Sequence, residues 1–522
     1  MVRERLYREL TMFFNGTIFL MLLIGLVGFG VTYFAIPNAK LIARRYKILS
    51  YPGGHSHHTR PIPLLGGATI YLAFAIAFSI YMLFIAYRGL SKDEPSFAQM
   101  LSLFCGTTWI AALGIYDDKF PLCWKKKFGG EFLGVVILLL GGHGLTNATL
   151  PYVGMVNFGW FGPPIFALLV LAITNAVNLI DGIDGLAGGI CFFAAMVSGI
   201  IGLSNADFFS ATIGFAVSGG ILAFLRFNFP PASIFMGDGG SLMLGFLLGT
   251  LATSSAAPAT GQRPGTMIML LTPFLPFGIA LLDVFVSIFR RMVSGQKIFF
   301  PDTNHIHHRL MEQVGRPEAV VSILYGFSAV LSAITLTLVL GPQGKFLTAY
   351  VIFSGLVLLA LVVLVLRLYL TEGLPRIIEN RPHFQFLASY ISFMSKRARR
   401  AESLDELLDL LESGVRDLGL DYVSVITKER LLRSWFTLHK AHPDSPREIE
   451  VKDLKRLDIT IEWAIPTHDS ESYQRYLKVA WSQFLKEVEI KLAYLLNNGC
   501  TQVPVDEAGT KDTAEGLQRS QS

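Results

Sequence analysis

The chain has 522 residues, a mean hydropathy of +0.49, and 52% hydrophobic against 16% charged residues, which excludes a water-soluble domain of ordinary composition. Charge is unevenly spread, residues 1–370 holding 38 of the 83 charged side chains and residues 371–522 the other 45, so two bodies of different solvent preference meet near 370. Their net charges, +8 and −3, exclude a polybasic nucleic-acid-binding domain.

A bilayer core takes roughly 20 apolar residues per helix. Runs of that kind fall at 11–36, 64–86, 97–116, 132–150, 161–180, 185–204, 208–225, 239–260, 265–289, 319–340 and 346–366. The expectation is a polytopic α-helical membrane protein of about eleven transmembrane helices, the transmembrane domain filling 1–370; the runs at 132–150 and 239–260 are rich in Gly and small polar residues. The first run lacks a short apolar core followed by an A-x-A site and reads as a retained helix, not a cleaved signal peptide. Fifteen Lys and Arg residues between Lys40 and Arg316 lie in the loops after the first, third, seventh and ninth runs, against Arg88, Lys92, Arg263 and Lys345 in the alternate loops. This bias puts the first set of loops and the C-terminal body in the cytoplasm, with Arg3, Arg5 and Arg8 at the N-terminus running against the trend.

Beyond the last run, 371–400 reads as a basic juxtamembrane linker whose cluster Lys396-Arg397-Ala398-Arg399-Arg400 suits anionic headgroups. Ser403, three residues before Glu406, opens an amphipathic helix with a capping box. Alternation at 421–427, 431–438 and 456–464 predicts strands, and 470–497 a closing helix. Residues 401–500 are therefore expected to form a small cytoplasmic α+β domain, which faintly resembles GAF-like sensory domains, and 501–522 a disordered tail. Cys105, Cys123, Cys191 and Cys500 include no CxxC pair, against a disulfide framework or a thiolate metal site.

The unusual polar motifs gather at the cytoplasmic ends of the runs, where an ionisable group needs a partner or a water-filled cavity. In Asn175-Ala-Val-Asn178-Leu-Ile-Asp181-Gly-Ile-Asp184-Gly, Asn178, Asp181 and Asp184 are three apart and line one face of a helix or tight turn. Oxygen donors of this kind suit Mg²⁺, which takes one or two carboxylates and completes its shell with water and substrate phosphates; the bland reading is a cap and turn between two spans. Asp117 and Asp118 repel one another, so one can be poised as a base, unless Lys119 and Lys125–Lys127 merely neutralise them. Asp238, between Gly237 and Gly239 and three residues after Phe235, reads as a metal ligand beside free backbone amides, or as a plain helix start. His305, His307, His308 and Arg309 lack a zinc arrangement and suit an anion. The loop His55-Ser-His57-His58-Thr-Arg60 is as well explained by a solvated turn as by a substrate role.

These residues, in this order, resemble the polyprenyl-phosphate N-acetylhexosamine-1-phosphate transferases, over roughly residues 12–370. The resemblance implies transfer of a sugar 1-phosphate from a UDP-N-acetylhexosamine to a polyprenyl phosphate such as undecaprenyl phosphate, releasing UMP, in the bacterial inner membrane at the start of cell-envelope polysaccharide synthesis. His-Ile-His-His-Arg-Leu at 305–310 looks like the WecA-like branch, which uses UDP-GlcNAc, with the muramoyl-pentapeptide branch as the alternative. By resemblance Asp117 would take or orient the proton of the lipid phosphate with Asp118 in support, and Lys127 would hold phosphate. Asn178 and Asp238 would coordinate Mg²⁺, with Mn²⁺ the substitute ion. Asp184 would recognise uracil and Phe235 stack on it. Asn175 and Asp181 would join the substrate site, and His305, His307, His308 and Arg309 would clamp pyrophosphate and sugar. A homodimer is left open. A secondary transporter is the main rival; it would need acids near mid-membrane and an internal repeat, and neither is seen. A sensor working through its C-terminal body would leave the acidic loops unexplained.

The charge bias makes a direct prediction. In a background without native cysteines, single cysteines in 117–129 and 290–317 should react with impermeant thiol reagents from the cytoplasmic side only; labelling of both from outside would reverse the orientation.

Overall fold

The computed structural model describes residues 2–51, 60–89, 94–145, 147–150, 154–255, 272–294, 310–311, 314–340, 355–357, 359–360, 363, 381–418, 420, 422–427, 431–436, 449–454, 459–464 and 471–497. The chain divides into two compact units, Met1–Val286 with His305–Tyr369, and Ser287–Asn304 with Leu370–Ser522.

The first unit is built from α1 (Val2–Arg45), α2 (Gly66–Arg88), α3 (Phe97–Lys119), α4 (Trp124–Leu140), α5 (Gly162–Ile180), α6 (Leu186–Ser204), α7 (Phe208–Asn228), α8 (Asp238–Ser255) and α10 (Pro317–Leu340), with α9 (Gly278–Ser294) running from it into the second. Two-residue strands β1 (Leu49–Ser50) and β2 (Ile62–Pro63) pair antiparallel before α2. Among the described residues seven helical segments are long and apolar enough to cross a bilayer: Gly16–Arg45, Gly66–Arg88, Phe97–Lys119, Gly159–Ile180, Leu186–Ser204, Phe208–Asn228 and Pro317–Leu340. The protein is a multi-pass membrane protein.

Eleven spans were expected; of the four runs not among these seven, the described residues show the following. The run 132–150 is helical only to Leu140; Gly142, at φ +89°, turns the chain, and β3 (Asn147–Leu150) pairs antiparallel with β4 (Gly154–Asn157). In 239–260 the helix α8 is 18 residues long, its hydropathy diluted by Gly, Ser and Thr. In 265–289 the described part begins with a 3₁₀ turn, Thr272–Phe277, containing Pro276, and the apolar helical segment Phe274–Phe289 is by itself shorter than a span. The run 346–366 lies largely outside the described residues.

Helices α6 and α7 form the centre. α7 packs on α1, α2 and α6, while α8 packs on α2, α3, α5 and α6. Phe74, Phe166, Phe224 and Phe246 are fully buried between them, and Phe104 stacks on Phe78 with ring centroids 4.5 Å apart. The outer faces expose Phe19, Leu26, Phe34, Leu83 and Leu168, an apolar surface that water would penalise and acyl chains do not.

The second unit contains α11 (Arg381–Arg400), α12 (Leu404–Leu418), strands β5 (Tyr422–Thr427), β6 (Leu431–Phe436), β7 (Ile449–Leu454) and β8 (Ile459–Ala464), and α13 (Glu471–Asn497). The sheet is antiparallel in the order β6-β5-β8-β7. The segment read as a linker, 371–400, is helical from Arg381, and Leu387, Ile391, Met394 and Ala398 at 4-3-4 spacing join Trp481 and Phe484 in the second core. Strand β7 was not anticipated: Glu450, Lys452 and Asp453 disguise an edge strand. At the start of α12, Ser403 Oγ accepts the Glu406 N–H at 3.2 Å, and Glu406 reaches back to the Glu402 N–H at 3.0 Å.

One close approach in the first unit sets the geometry of everything polar. A Cβ added to Gly114 on α3 would lie 2.4 Å from the carbonyl oxygen of Asp238, so α3 meets the head of α8 backbone to backbone. Gly114→Ala should therefore destabilise the protein by about 1–3 kcal/mol through overpacking. Gly129→Ala, where the added atom meets nothing within 4 Å, should be neutral or stabilising by up to about 1 kcal/mol from helix propensity. Thermal unfolding of both variants in detergent checks the pair, and equal midpoints would show that α3 and α8 can part without cost.

Candidate active site

Asp117 and Asp118 close the last turn of α3 and, as neighbours on a helix, point about 100° apart. Asp117 is buried: one oxygen accepts the Leu122 N–H at 2.6 Å and the other pairs with Lys127 Nζ at 3.0 Å. Asp118 turns toward α8 and accepts the backbone N–H of Asp238 at 2.9 Å and of Gly239 at 3.1 Å. These are among the first amides of α8, which have no acceptor within their own helix, so Asp118 caps α8 from a different helix. Gly237, at φ +72°, makes the turn that exposes those amides.

Asp238 opens α8. Its Oδ1 accepts from Asn178 Nδ2 and its Oδ2 from Lys127 Nζ, both at 2.7 Å. Asn178 Nδ2 also donates to Ser241 Oγ at 2.9 Å, and its Oδ1 accepts from Lys127 at 3.4 Å. One ammonium thus serves two carboxylates and an amide. Burial alone would lower the Lys127 pKa, but Asp238 and Asp117 outweigh it and raise it above the usual lysine range. Burial would likewise raise Asp238, yet Lys127 and the hydrogen bonds around it hold that carboxyl below the usual range.

The turn between α5 and α6 supplies the opposite wall. Asp184 Oδ2 accepts the Ala232 N–H at 2.8 Å, tying this turn to the 229–237 loop, and that loop is held in turn by Phe235 N–H to Pro63 O and Gly66 N–H to Phe235 O, at 2.8 and 2.9 Å. Gly185 stands at φ +80°. Part of Asp181 opens to the cavity, but protein surrounds it, so its pKa is pushed well up, by burial first and then by Asp238, Asp118 and Asp184.

Between these walls lies a cavity of about 1000 Å³ whose lining includes Asp118, Asn178, Asp181, Asp184, Phe235 and Asp238, together with Arg60 and Glu318. Six residues singled out from the sequence are therefore brought to one space. Asp117, Lys127 and Asn175 stand behind it as supports: Asn175 Nδ2 donates to Glu131 Oε2 at 2.6 Å and to Leu171 O at 2.9 Å. His305, His307, His308 and Arg309 lie outside the described residues. Among the described residues no three His, Cys, Asp or Glu side chains converge closely enough to hold a metal ion by themselves.

Three participants escaped the sequence reading. Glu131, 1% exposed, sits one turn after Lys127, and its signal was a carboxylate four residues past the lysine run on an otherwise apolar helix. Asn228 accepts the Gly185 N–H and donates to Ile234 O, both at 2.9 Å. Tyr325 on α10 donates to Gly185 O at 2.6 Å, and its ring covers Gly189 so closely that a Cβ there would lie 1.9 Å from it. Nothing in the local sequence of α10 marks Tyr325 as a partner of a turn 140 residues away.

The segment 100–256 matches the family described as glycosyl transferase family 4. The Bacillus subtilis protein named "Probable undecaprenyl-phosphate N-acetylglucosaminyl 1-phosphate transferase" is 32% identical over 304 residues, 58% of this chain and 80% of that protein. The decaprenyl-phosphate N-acetylglucosaminephosphotransferase of Mycobacterium tuberculosis H37Rv is 31% identical over 323 residues, 58% of this chain and 78% of its own. The phospho-N-acetylmuramoyl-pentapeptide-transferase of Moorella thermoacetica is 32% identical over 297 residues, 54% and 86%.

The Tyr325 contact yields a prediction independent of any assay of activity. Tyr325→Phe keeps the ring over Gly189 and removes one of two donors to the Gly185 carbonyl, which retains the Gly189 N–H at 3.0 Å, so it should cost about 0.5–1.5 kcal/mol, read from thermal unfolding. An unchanged midpoint would show that the 181–185 turn stands without α10.

Proposed function

The chain belongs to glycosyl transferase family 4, and on that premise we propose that it transfers N-acetylglucosamine 1-phosphate from UDP-GlcNAc to undecaprenyl phosphate. An oxygen of the lipid phosphate attacks the β-phosphorus of the UDP-sugar, the bond from that phosphorus to the bridging oxygen breaks, and UMP leaves. The observation that carries the reading is the 1000 Å³ cavity itself, which gathers Asp118, Asn178, Asp181, Asp184 and Asp238 around one space at the ends of apolar helices, within a segment matched to the family. Reactions of this kind need positioning and charge neutralisation more than covalent chemistry.

The donor set fits Mg²⁺. All donors are oxygens, and the acids are crowded enough that burial and neighbouring carboxylates push Asp181 up. An ion sharing the Asp238 carboxylate and the Asn178 amide oxygen with water and substrate phosphates asks for no second carboxylate. When bound, it would supply charge neutralisation at the pyrophosphate. Lys127 holds Asp238 and Asn178 in place from behind. Asp118, not Asp117, is the acid of the pair that lines the cavity, so the role of meeting the lipid phosphate passes to it, while Asp117 fixes Lys127. Phe235 and Asp184 line the far wall, suited to stacking and hydrogen bonding with a uracil. Orientation toward the cytoplasm, where UDP-sugars are made, follows from the loop charges.

Purified protein in detergent, given undecaprenyl phosphate, Mg²⁺ and a panel of UDP-sugars, should release UMP with UDP-GlcNAc and yield the lipid pyrophosphoryl sugar by mass spectrometry. EDTA should stop the reaction and Mg²⁺ restore it. Asp238→Ala should lower turnover by roughly 100-fold or more while remaining monodisperse. Product formed only from the UDP-muramoyl-pentapeptide would move the chain to the other branch, and near-normal turnover by Asp238→Ala would remove Asp238 from the site.

A further inference from the structure

The outer surface of the second unit carries charge and aromatic groups in separate stripes. On α11, residues 386, 393, 397 and 400 fall within about 60° of one another around the helix axis. Phe386 and Phe393 are both 54% exposed, the Arg397 guanidinium lies 5.9 Å over the Phe393 ring, and Arg400 and the adjacent Lys396 are exposed. The buried side of the same helix, Leu387, Ile391, Met394 and Ala398, is fully used in the core. Arg399 is not part of the stripe: it faces away and makes a two-pronged pair with Glu487 at 2.8 and 2.5 Å. On α12 the exposed face is acidic on balance, Asp405, Asp409 and Glu412 recurring at helical spacing around the one exposed cation of that helix, Arg416.

We propose that the Phe386–Phe393–Arg397–Arg400 stripe is a docking surface for an anionic bilayer, on which the second unit lies with α11 against the lipid. Aromatic side chains flanked by guanidinium groups suit the headgroup boundary, where rings enter the interface and cations meet lipid phosphates. The acids of α12 are repelled by the same surface and set which side of the unit turns to it. Only 14 residues separate the apolar run ending at 366 from Arg381, a reach of at most about 50 Å, so the membrane is present at high effective concentration. A second copy of the chain is the poorer occupant, because a twofold contact through this stripe would set arginines against arginines.

The test uses the full chain in nanodiscs. In a background with Cys105, Cys123, Cys191 and Cys500 replaced, Phe393→Cys and, separately, Asp409→Cys carry a fluorophore, and quenching by lipids with a spin label near the headgroup is read. The label at 393 should be quenched roughly threefold more in phosphatidylglycerol-containing discs than in phosphatidylcholine discs, and should lose that difference in high salt. Adding Arg397→Glu and Arg400→Glu should abolish it, and the label at 409 should stay unquenched in both lipids. Should the double variant aggregate, Arg397→Gln and the salt titration carry the same comparison. Quenching at 393 that ignores lipid charge, equals that at 409, or is absent in anionic discs would overturn the proposal. So would shielding of the label that rises with the number of protein copies per disc instead of with lipid charge, which would assign the stripe to a second copy.

Discussion

The carboxylate of Asp238, half-buried at the cavity wall, is the constraint around which the polar ends of the first unit are arranged. A charge among apolar helices is tolerated only if it is paired and hydrogen-bonded. Lys127 from α4 and Asn178 from α5 each reach it at 2.7 Å, and Asp118 from α3 takes the amides that flank it. Four helices therefore converge on one residue, and their polar ends cannot shift independently. Three of these residues, Asp118, Asn178 and Asp238, also line the cavity.

Packing makes this convergence affordable in a mostly apolar protein. Backbone contact at Gly114 brings α3 to the first turn of α8, and a bulkier residue would hold Asp118 away from the amides it caps. On the far wall, Tyr325, Gly185 and Asn228 link α10, the 181–185 turn and the 229–237 loop through three short hydrogen bonds. Each wall is thus fixed by one element distant in sequence, a rigid frame of the sort that positioning chemistry requires.

The second unit follows a different logic. It has its own core, with Trp481 and Phe484 beneath α11 and α12, and a normal share of charge. Among the described residues, none of the cavity-lining side chains comes from its strands or from α11–α13. Its function is better sought on its outer surface than in its interior, and there the arginine stripe of α11 and the acidic stripe of α12 divide the charge between two helices.

The apolar runs alone determined that the protein spans a membrane, and the cost of charge near lipid marked Asn178, Asp181, Asp184 and Asp238 as polar residues needing a common partner or cavity, because that cost is a local property; that they line one cavity was shown by the structure. Span number was not legible in the same way: at 132–150 a glycine turn ends a helix that average hydropathy would continue. Which acid of the 117–118 pair faces the cavity was decided only by the tertiary structure. Adjacent helical positions are chemically equivalent in the sequence and point about 100° apart in space, so the choice fell to whichever side of α3 meets the head of α8. Glu131, Asn228 and Tyr325 were hidden for the same reason: their partners lie 44, 43 and 140 residues away, and a hydrogen bond across that separation leaves no periodicity in the chain.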